Sequence, residues 1–500
     1  MVNRSSAFTE SSSLTGSDSA AAGARRPARP TLTAFRIGAA SVSAALLLLA
    51  VPADVVSEVP GWCAVTAGFA ILALVAVIAF RFARQRGQNP WTDATAAFSF
   101  YYAVFFGAGL LTLFFWDVLL DQMFPQLTSR FQQYGPVLSD VSRLTVIGGL
   151  ALVAGSLIPG GALVRLLPRL RWQLDGDTFF RRALFFLPVA AACLVVTRFS
   201  PELLPKELFH FVQVLGETSH LILVLCSYSF FRAGKRRWRW AWLYLVYAAV
   251  LVIRALPTGM RGDLLLPFAF PVLGYVMARA KLPWRYLLVG VGLFFFVIIP
   301  WATFLKESTP RLVGPQVAMS QAMVKLRGAG YRQRLGVSLW STVRWFAVVG
   351  GFANCRRKVP RRFPYQHGKV LLTTLMALPP RAIWPDKPNV SAKLNYYSQR
   401  LGIISKGDKT SSAVLVALGL YYLDFGPVGI LVLCVFHGWC IRLLRDFAVG
   451  RCTYEWGAAV FLLLTLTKPD LPNFVVWMSG AARMILVSLP VVYVLSRKRL

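Results

Sequence analysis

Long apolar runs separated by short polar connections make up most of this chain. The runs are about 20 residues long, which is the length of an α-helix that crosses a bilayer. They are too long for the strands of a membrane β-barrel and lack the alternation of such strands. We therefore predict an all-α, polytopic membrane protein with about twelve transmembrane helices. The predicted spans lie near residues 37–51, 61–80, 95–116, 144–164, 183–199, 211–231, 239–256, 263–279, 286–304, 426–444, 454–467 and 475–495.

The same pattern divides the chain into four parts. Residues 1–33 are rich in Ser, Ala and Thr and end in a basic run, so we expect a disordered N-terminus on the cytoplasmic side. Residues 34–304 hold predicted spans 1–9, and residues 412–500 hold predicted spans 10–12. Between them, residues 305–411 are expected to form one large basic loop on the outer side of the membrane. Within this loop, Leu339–Phe352 is apolar enough to lie at the membrane surface.

The basic residues predict how the chain crosses the membrane. The chain has 54 Lys+Arg against 21 Asp+Glu, which gives a formal net charge of +33. These residues concentrate in every second connection, and positive loops stay inside, so we predict that both termini are cytoplasmic. Residues 305–411 fall on the outer side although they carry nineteen Lys/Arg against three acids. Long loops escape the charge rule, so the predicted topology stands.

An excess of positive charge in an outer loop calls for an anionic partner. In one interpretation, the positive charge balances the negative charge of anionic lipids. In the other, it forms a site for a polyanionic substrate. Because the basic residues lie between apolar runs, membrane lipids and phosphorylated lipids are the expected partners, and nucleic acid is not. The seven cysteines and four histidines show no metal-ligand spacing, so no metal or other cofactor is predicted.

Two turns carry cations that suit a phosphorylated lipid. Residues 378–388 read LPPRAIWPDKP, where prolines stiffen the backbone and place Arg381 and Lys387 on one turn. The short segment RALPTGMRGD holds Arg254 and Arg261 on the same predicted side. Arginine binds phosphate oxygens in pairs and keeps its charge where water is scarce. Arginines at span ends also extend to lipid head groups, and this interpretation is favoured for Arg254 alone.

These segments together resemble the O-antigen polymerases of the Wzy type, also described as oligosaccharide repeat-unit polymerases. The resemblance rests on the Arg-Gly turn, on PPRAIWPDKP in the large loop, and on the following TSSAVLVALGLYYLDFGPVG. Asn395 and Tyr396 match the Asn/Tyr-containing segment of that family, and Phe425 and Gly426 begin its FGxxG pattern. The resemblance covers roughly residues 250–430.

The resemblance implies a GT-C-like fold, related to the C-type glycosyltransferases, and a reaction on the outer face of the inner membrane. A growing glycan on undecaprenyl pyrophosphate is then transferred onto a new lipid-linked repeat unit, which yields O-antigen or exopolysaccharide. By position, Arg261 and Arg381 match the functional arginines in the outer loops of that family. A chain-length regulator is a further candidate partner.

The residues themselves agree with this chemistry. Glycosyl transfer from a lipid pyrophosphate needs the charge of the leaving group neutralised, and fixed Arg and Lys side chains do this without a metal. We therefore predict Arg261 and Arg381 as catalytic residues of a metal-independent glycosyltransferase. Lys387 and Arg254 are predicted to bind the substrate.

The acceptor hydroxyl also needs a base within hydrogen-bond reach. The candidates are His367, Asp386, Asp263 and Asp408. Of these, His367 and Asp386 are assigned as catalytic candidates. Trp384 and Tyr396 are predicted to stack on sugar faces, with Asn395 beside them in the substrate-binding set. Anchoring at the membrane interface is the alternative role of such aromatic residues.

A Glu/His pair in one predicted span supports a different class of function. Glu217 and His220 are three residues apart, so they share a helix face. Ionisable groups inside spans are costly and often functional, which favours a proton-coupled flippase or exporter of lipid-linked oligosaccharide as the alternative. A tie between two helices is the structural interpretation of the pair. The absence of an internal sequence repeat counts against the exporter. An O-antigen ligase would share the fold and chemistry of the polymerase and differ in its acceptor.

Overall fold

The computed structural model of the protein describes its helices and most of their connections. The described residues are 32–115, 134–167, 169, 172–173, 175–199, 204–233, 237–256, 261–307, 315–346, 348–376, 379, 384, 388, 390–404, 415–467, 485, 491, 493–495 and 497–498. They are almost entirely helical, which confirms the all-α prediction. The exception is one antiparallel pair of two-residue strands, β1 (Trp172–Gln173) and β2 (Arg497–Lys498).

The helices before residue 260 are joined by short connections. In chain order they are α1 (Leu32–Ala50), α2 (Ala53–Glu58), α3 (Gly61–Gln85), α4 (Ala94–Tyr102, continued by a π-helical turn at Ala103–Gly107 into Ala108–Phe115), α5 (Gly135–Leu157), α6 (Gly161–Leu166), α7 (Gly176–Phe199), α8 (Lys206–Arg232) and α9 (Arg237–Ala255).

The helices after residue 260 include several short ones. They are α10 (Arg261–Arg279), α11 (Trp284–Leu293, continued by a π-helical turn at Phe294–Ile298 into Ile299–Glu307), α12 (Pro315–Gly328), α13 (Tyr331–Phe346), α14 (Val348–Lys358), α15 (Lys369–Leu375), α16 (Val390–Arg400), α17 (Ala417–Arg451) and α18 (Tyr454–Leu462, continued by a π-helical turn at Leu463–Thr467).

Seven of the described helices are long and apolar enough to cross a membrane: α1, α3, α4, α5, α7, α11 and α17. Two shorter apolar helices, at Leu264–Arg279 and Tyr454–Thr465, also coincide with predicted spans. The predicted spans at 211–231 and 239–256 correspond to helices α8 and α9, which are not among the seven. Most of the last predicted span, 475–495, lies outside the described residues.

The region expected to be a large loop is built largely from helices. Residues 305–411 contain α12, α13, α14, α15 and α16. The apolar stretch Leu339–Phe352 covers the end of α13 and the start of α14. Val349 and Phe352 in this stretch are fully buried in the main core of the protein. The start of α14 therefore packs on the helices of the bundle, because its apolar side chains are buried in the main core.

Two groups of helices form the main cores. The first is centred on α5 and α17, with α1, α3, α4 and α14 packed around them. The second is centred on α8, with α7, α9, α10 and α18 around it. A smaller apolar cluster joins the end of α9, α10, α11 and α12. The basic region at residues 348–404 is connected to the first group.

Helices α5 and α17 cross in direct backbone contact. A Cβ atom added at Gly438 would lie 2.1 Å from the carbonyl oxygen of Leu152, and one at Gly155 would lie 1.9 Å from that of Val435. Only glycine leaves room for backbones this close, as at the small-residue crossings of membrane helices. This crossing fixes the position of α17 relative to the rest of the first group.

Hydrogen bonds between described connections mark two opposite ends of the helices. At one end, which we call the Arg86 end after the ion pair of Arg86 with Asp93, the Arg445 Nε donates to the Thr92 carbonyl at 3.2 Å. Asn89 Nδ2 donates to the Val276 carbonyl there (3.1 Å). The strand pair brings the connection after α6 and the C-terminal residues together.

At the other end, which we call the Asp140 end, Ser139 Oγ donates to the Val59 carbonyl at 2.8 Å. Arg143 donates to the Val51 carbonyl there. The connection between α1 and α3 therefore lies beside the start of α5. The helices of residues 348–404 lie at this same end, because Arg356 on α14 pairs with Asp140.

Candidate functional site

Helix α17 is broken near its start. Gly426 has φ 65° and ψ −152°, a conformation open in practice only to glycine, and Pro427 follows it. Proline cannot donate a backbone hydrogen bond, so carbonyl groups before the break lack helical partners. In membrane helices such breaks are tolerated where other parts of the protein satisfy the freed backbone groups. Discontinuous helices of this kind are a feature of binding sites in transporters.

The freed carbonyls are satisfied by a stretch that we call the basic segment, residues 356–371. Gln366 N–H donates to the Leu423 carbonyl (2.9 Å) and His367 N–H to the Asp424 carbonyl (3.0 Å). The contact is tight, since a Cβ at Gly426 would lie 3.0 Å from the ring of Tyr365. The basic segment therefore lies directly against the break in α17.

The carboxylate of Asp424 caps the short helix α15, which begins at the end of the basic segment. Its Oδ1 accepts from Val370 N–H (3.1 Å) and its Oδ2 from Leu371 N–H (2.7 Å). A carboxylate at a helix N-terminus is favoured both by the exposed N–H groups and by the helix dipole. Asp424 is only 1% exposed, so both of its oxygens depend on these partners.

Tyr422 connects α17 to the middle of the basic segment. Its hydroxyl donates to the Val359 carbonyl at 3.4 Å, and its ring lies 6.0 Å from that of Tyr365. The guanidinium carbon of Arg356 lies 5.7 Å from the Tyr422 ring centroid, within the range of a cation–π contact. Because Tyr422 is 1% exposed, this part of the segment is held against a buried surface.

Asp140 holds the other end of the basic segment. Its Oδ1 accepts from Arg143 (2.6 Å) and its Oδ2 accepts from Nε of Arg356. Burial opposes the charge of Arg356, but the carboxylate of Asp140 and the nearby tyrosines outweigh it and raise the pKa of Arg356. One carboxylate of α5 thus joins the connection after α1 to the start of the basic segment.

Between these two anchors the segment is strongly cationic. Arg357 donates to the Asn354 side chain at 3.2 Å. Within the described part of the chain, Lys358, Arg361 and Arg362 pair with no carboxylate. Burial lowers the pKa of Lys358, and its neighbours Arg357 and Arg362 lower it further. The cations therefore repel one another, and an added anion would relieve that repulsion.

Aromatic residues border the same surface. The ring of Phe363 lies 6.3 Å from that of Tyr397, and Tyr397 lies 5.5 Å from Tyr396. Burial raises the pKa of Tyr397, and the charge of Asp424 raises it further. Tyr396 is 49% exposed, with the Arg400 guanidinium 5.4 Å from its ring centroid. An exposed aromatic face beside arginines is suited to a sugar that carries a phosphate.

The residues predicted from the sequence are distributed unevenly relative to this surface. His367 belongs to the basic segment, with an exposed side chain and a left-handed φ of 48°. Tyr396 and the half-buried Asn395 lie on α16, and Trp384 is 37% exposed. Arg254 lies in the last turn of α9, next to Ala255, which packs in the apolar cluster with α10, α11 and α12.

The residues predicted to bind the pyrophosphate and to catalyse the transfer lie largely outside the described residues. Arg381, Asp386 and Lys387 are not among them. Arg261 is the first residue of α10, and its side chain is outside the description. Asp263 follows it within α10, and Asp408 is also outside the described residues. These assignments stay predictions.

The two anchoring carboxylates were missed by the sequence reasoning. Asp424 lies inside an apolar run and directly before the FGP triplet, and an acid in such a position is the signal that identifies it. Asp140 lies near the start of the apolar helix α5, and only the fold shows that Arg143 and Arg356 share its carboxylate. Among the described residues, no three His, Cys, Asp or Glu side chains are grouped as metal ligands.

These features define a class: an all-helical protein with apolar helices of membrane-crossing length and a basic, partly helical region at one end. The chain belongs to the family described as Domain of unknown function (DUF8712), whose model matches residues 104–463, more than half of the chain. The match includes both anchoring carboxylates and the whole basic segment. No curated protein and no solved structure matches the chain.

Proposed function

We propose that this protein is a metal-independent membrane glycosyltransferase that polymerises lipid-linked oligosaccharide repeat units. The substrate is an oligosaccharide on undecaprenyl pyrophosphate, and the product is O-antigen or exopolysaccharide. The reaction takes place on the periplasmic face of the inner membrane, with both termini in the cytoplasm. The resemblance of residues 250–430 to Wzy-type polymerases motivates this proposal, and the basic segment supports it.

The observation that carries the proposal is a cationic surface without matching acids. From residue 348 to residue 404 the sequence has ten Lys/Arg and one acid, Asp386. Lys358, Arg361 and Arg362 pair with no carboxylate among the described residues. A diphosphate carries the charge and the oxygen acceptors that these side chains require. The site lies at an end of the helices, where a lipid-borne diphosphate would reside.

The transfer proceeds with a simple balance of atoms. A hydroxyl oxygen of the acceptor repeat unit forms a bond to the anomeric carbon of the donor glycan. The bond from that carbon to the pyrophosphate oxygen breaks, and undecaprenyl pyrophosphate leaves with the electron pair. Arg and Lys side chains neutralise the charge that develops on the leaving group. The hydroxyl proton passes to a base.

His367 suits the role of base better than Asp424. The His367 side chain is exposed beside the cationic surface, where an acceptor hydroxyl has access. Both carboxylate oxygens of Asp424 already accept backbone hydrogen bonds, and the residue is buried. A base must reach the proton that it removes, and Asp424 does not. Asp386 remains the second candidate.

Stacking on sugar faces is proposed for Trp384 and Tyr396. Both rings are partly exposed, and Tyr396 lies on the helix that packs against α15. The clamp predicted from the sequence, formed by Arg261, Arg381 and Lys387, would add donors to the same diphosphate. Membrane lipids surround the bundle, and a chain-length regulator is the proposed protein partner.

The test uses purified full-length protein in nanodiscs with a synthetic undecaprenyl-pyrophosphate oligosaccharide and no added metal. We expect a ladder of products longer than one repeat unit. Arg362→Ala and Arg381→Ala should reduce polymer at least about tenfold, the value of one lost charge-assisted contact. Arg381→Lys should restore little, because an ammonium lacks the bidentate fork. Arg332→Ala, at an exposed arginine of α13, is the matched control and should retain the ladder.

The exporter alternative is tested with the same preparation. In α8, Glu217 Oε1 accepts from the side-chain amide of Gln213 at 3.1 Å, so a half-buried carboxylate does lie in that helix. Glu217→Gln should leave a polymerase nearly unchanged and should stop a proton-coupled exporter. Movement of lipid-linked sugar across a liposome bilayer without extension would replace the polymerase by the exporter. Transfer to a lipid A core in place of a repeat unit would indicate the ligase.

A further inference from the structure

We infer that Asp424 and Asp140 anchor the two ends of the basic segment and thereby hold it as a preformed binding site for a diphosphate group. The class of ligand rests on the proposed function, whereas the anchoring rests on the described contacts alone. Asp424 is then a positioning residue that acts through residues 356–371. This role is assigned to neither carboxylate by the family match.

The contacts at the Asp424 end involve both backbone and side chain. Four N–H groups of the segment, those of Gln366, His367, Val370 and Leu371, donate to Leu423 and Asp424 of α17. The break at Gly426 is what makes two of the acceptors available. The end of the segment is therefore fixed to a helix of the main core.

The contacts at the Asp140 end are ionic. Arg356 is the first residue of the segment, and it shares Asp140 with Arg143 of the same helix α5. Tyr422 holds the middle through its hydroxyl bond to Val359 and its ring contact with Tyr365. Helices α5 and α17 cross in direct backbone contact at their glycines, so both anchors lie on helices that pack on each other.

This arrangement opposes the mutual repulsion of the cations between the anchors. Arg357, Lys358 and Arg362 lie close enough to lower the pKa of the lysine. A free loop would relax by moving them apart, and a ligand would then have to gather them again. Groups that are held in place before binding avoid this cost. Asp424 and Asp140 therefore increase the affinity of the segment for an anion without contacting the anion themselves.

The test compares Asp424→Ala and Asp424→Asn with the full-length wild-type protein in detergent. Hydrogen–deuterium exchange should be about tenfold faster or more at Val370 and Leu371 in Asp424→Ala, because both amides lose their acceptor. Asp424→Asn retains one carbonyl oxygen, so its exchange rates at these amides should lie between those of the wild type and those of Asp424→Ala. Cys434→Ala, at a buried position of the same helix, is the control and should leave exchange at these amides unchanged.

Binding is measured with inorganic pyrophosphate and, separately, with farnesyl pyrophosphate. We expect Asp424→Ala to weaken both about tenfold and Asp424→Asn to weaken them less. Preference for the farnesyl compound identifies a lipid-borne diphosphate, and equal affinity identifies a free one. Unchanged exchange at residues 370 and 371 in Asp424→Ala would overturn the anchor. Faster exchange with unchanged pyrophosphate affinity would overturn the link between anchoring and binding.

The outcome separates this inference from the proposed function. If the wild-type protein binds pyrophosphate through the anchored segment but makes no polymer, the glycosyltransferase proposal fails and the site remains. If the wild-type protein binds neither compound, the diphosphate site is wrong, whatever the exchange data show. If Asp424→Asn loses polymer as fully as Asp424→Ala while exchange and binding stay normal, Asp424 acts chemically and the positioning role is wrong.

Discussion

At the scale of single residues, Asp140 is a nearly buried acid that two arginines share. Its side chain is 8% exposed and shared by two arginines, of which Arg143 is 9% exposed. Asp140→Asn would leave both guanidinium groups facing each other without a carboxylate. Removing one partner of a buried ion pair costs about 3 kcal/mol or more. We expect a marked fall in the melting temperature of the detergent-purified protein, measured by loss of the monodisperse peak on heating.

The matched control for Asp140 is the pair of Asp177 with Arg239. In that pair the acid side chain is 53% exposed, so solvent screens it. Asp177→Asn should therefore shift the melting temperature little, since exposed pairs contribute about 0–1 kcal/mol. An equal shift in both variants would show that Asp140 is not a buried anchor.

Replacing Lys358 is expected to raise the stability of the protein, whereas replacing Asp140 is expected to lower it. Burial and the charges of Arg357 and Arg362 lower its pKa below 10.5, so the folded protein disfavours its charged form. Because the unfolded chain then binds more protons, stability should rise with pH between the folded pKa and about 10.5. Lys358→Met removes the repulsion. The variant should melt higher than the wild type at pH 7, and this advantage should vanish as the pH approaches 10.5.

The same substitution should weaken binding. Lys358→Met removes one donor to a diphosphate, so we expect about a tenfold loss of pyrophosphate affinity. Higher stability together with weaker binding is the pattern of a site held against its own repulsion. If Lys358→Met melts lower than the wild type at pH 7, the repulsion inferred from the basic segment is wrong.

At the scale of elements, the crossing of α5 and α17 allows a sharp test. Gly438→Ala would place a methyl group 2.1 Å from the Leu152 carbonyl, so the two helices must separate. Overpacking of this kind costs about 1–3 kcal/mol. The melting temperature and the yield of monodisperse protein should both fall. Gly290→Ala in α11 is the control, because nothing lies within 4 Å of its added Cβ. A loss of equal size at Gly290 would contradict a specific effect of the crossing.

The elements also show what a sequence can and cannot predict. Apolar runs predict helices well, because burial in lipid requires about 20 apolar residues in one helix. They do not predict α14, α15 and α16, which are short. Helices α14 and α15 pack on α17, and α16 packs on α15. The break at Gly426 is suggested by the FGP triplet, but the segment that covers it lies some sixty residues earlier in the chain. Such long-range pairing leaves no local pattern.

At the scale of the whole molecule, the charge pattern predicts on which side of the membrane each connection lies, and this topology stays a prediction. Basic residues alternate between connections because translocation opposes positive charge, so the pattern records topology and not packing. It predicts that residues 305–411 lie on the side opposite to the connection after α3. In the fold, Arg356 lies at the Asp140 end, whereas Thr92, in the connection after α3, lies at the Arg86 end. The charge pattern did not identify Asp140 or Asp424, because a single acid has no effect on the charge of a connection. The position of the site is therefore set by how the helices pack, whereas the predicted side of each connection follows from its Lys and Arg content.

The orientation of the two ends decides where the proposed reaction takes place. In a background with the seven cysteines replaced by alanine, we would introduce one cysteine at exposed positions of each end. Glu58→Cys and Arg361→Cys at the Asp140 end should react with an impermeant maleimide on spheroplasts. Gly450→Cys at the Arg86 end, where the added Cβ meets no atom within 4 Å, should react only after permeabilisation. The reversed pattern would place the basic segment in the cytoplasm, where lipid-linked repeat units are made rather than joined. Such a result would overturn the polymerase proposal, because the diphosphate site and the growing glycan would lie on opposite sides of the membrane.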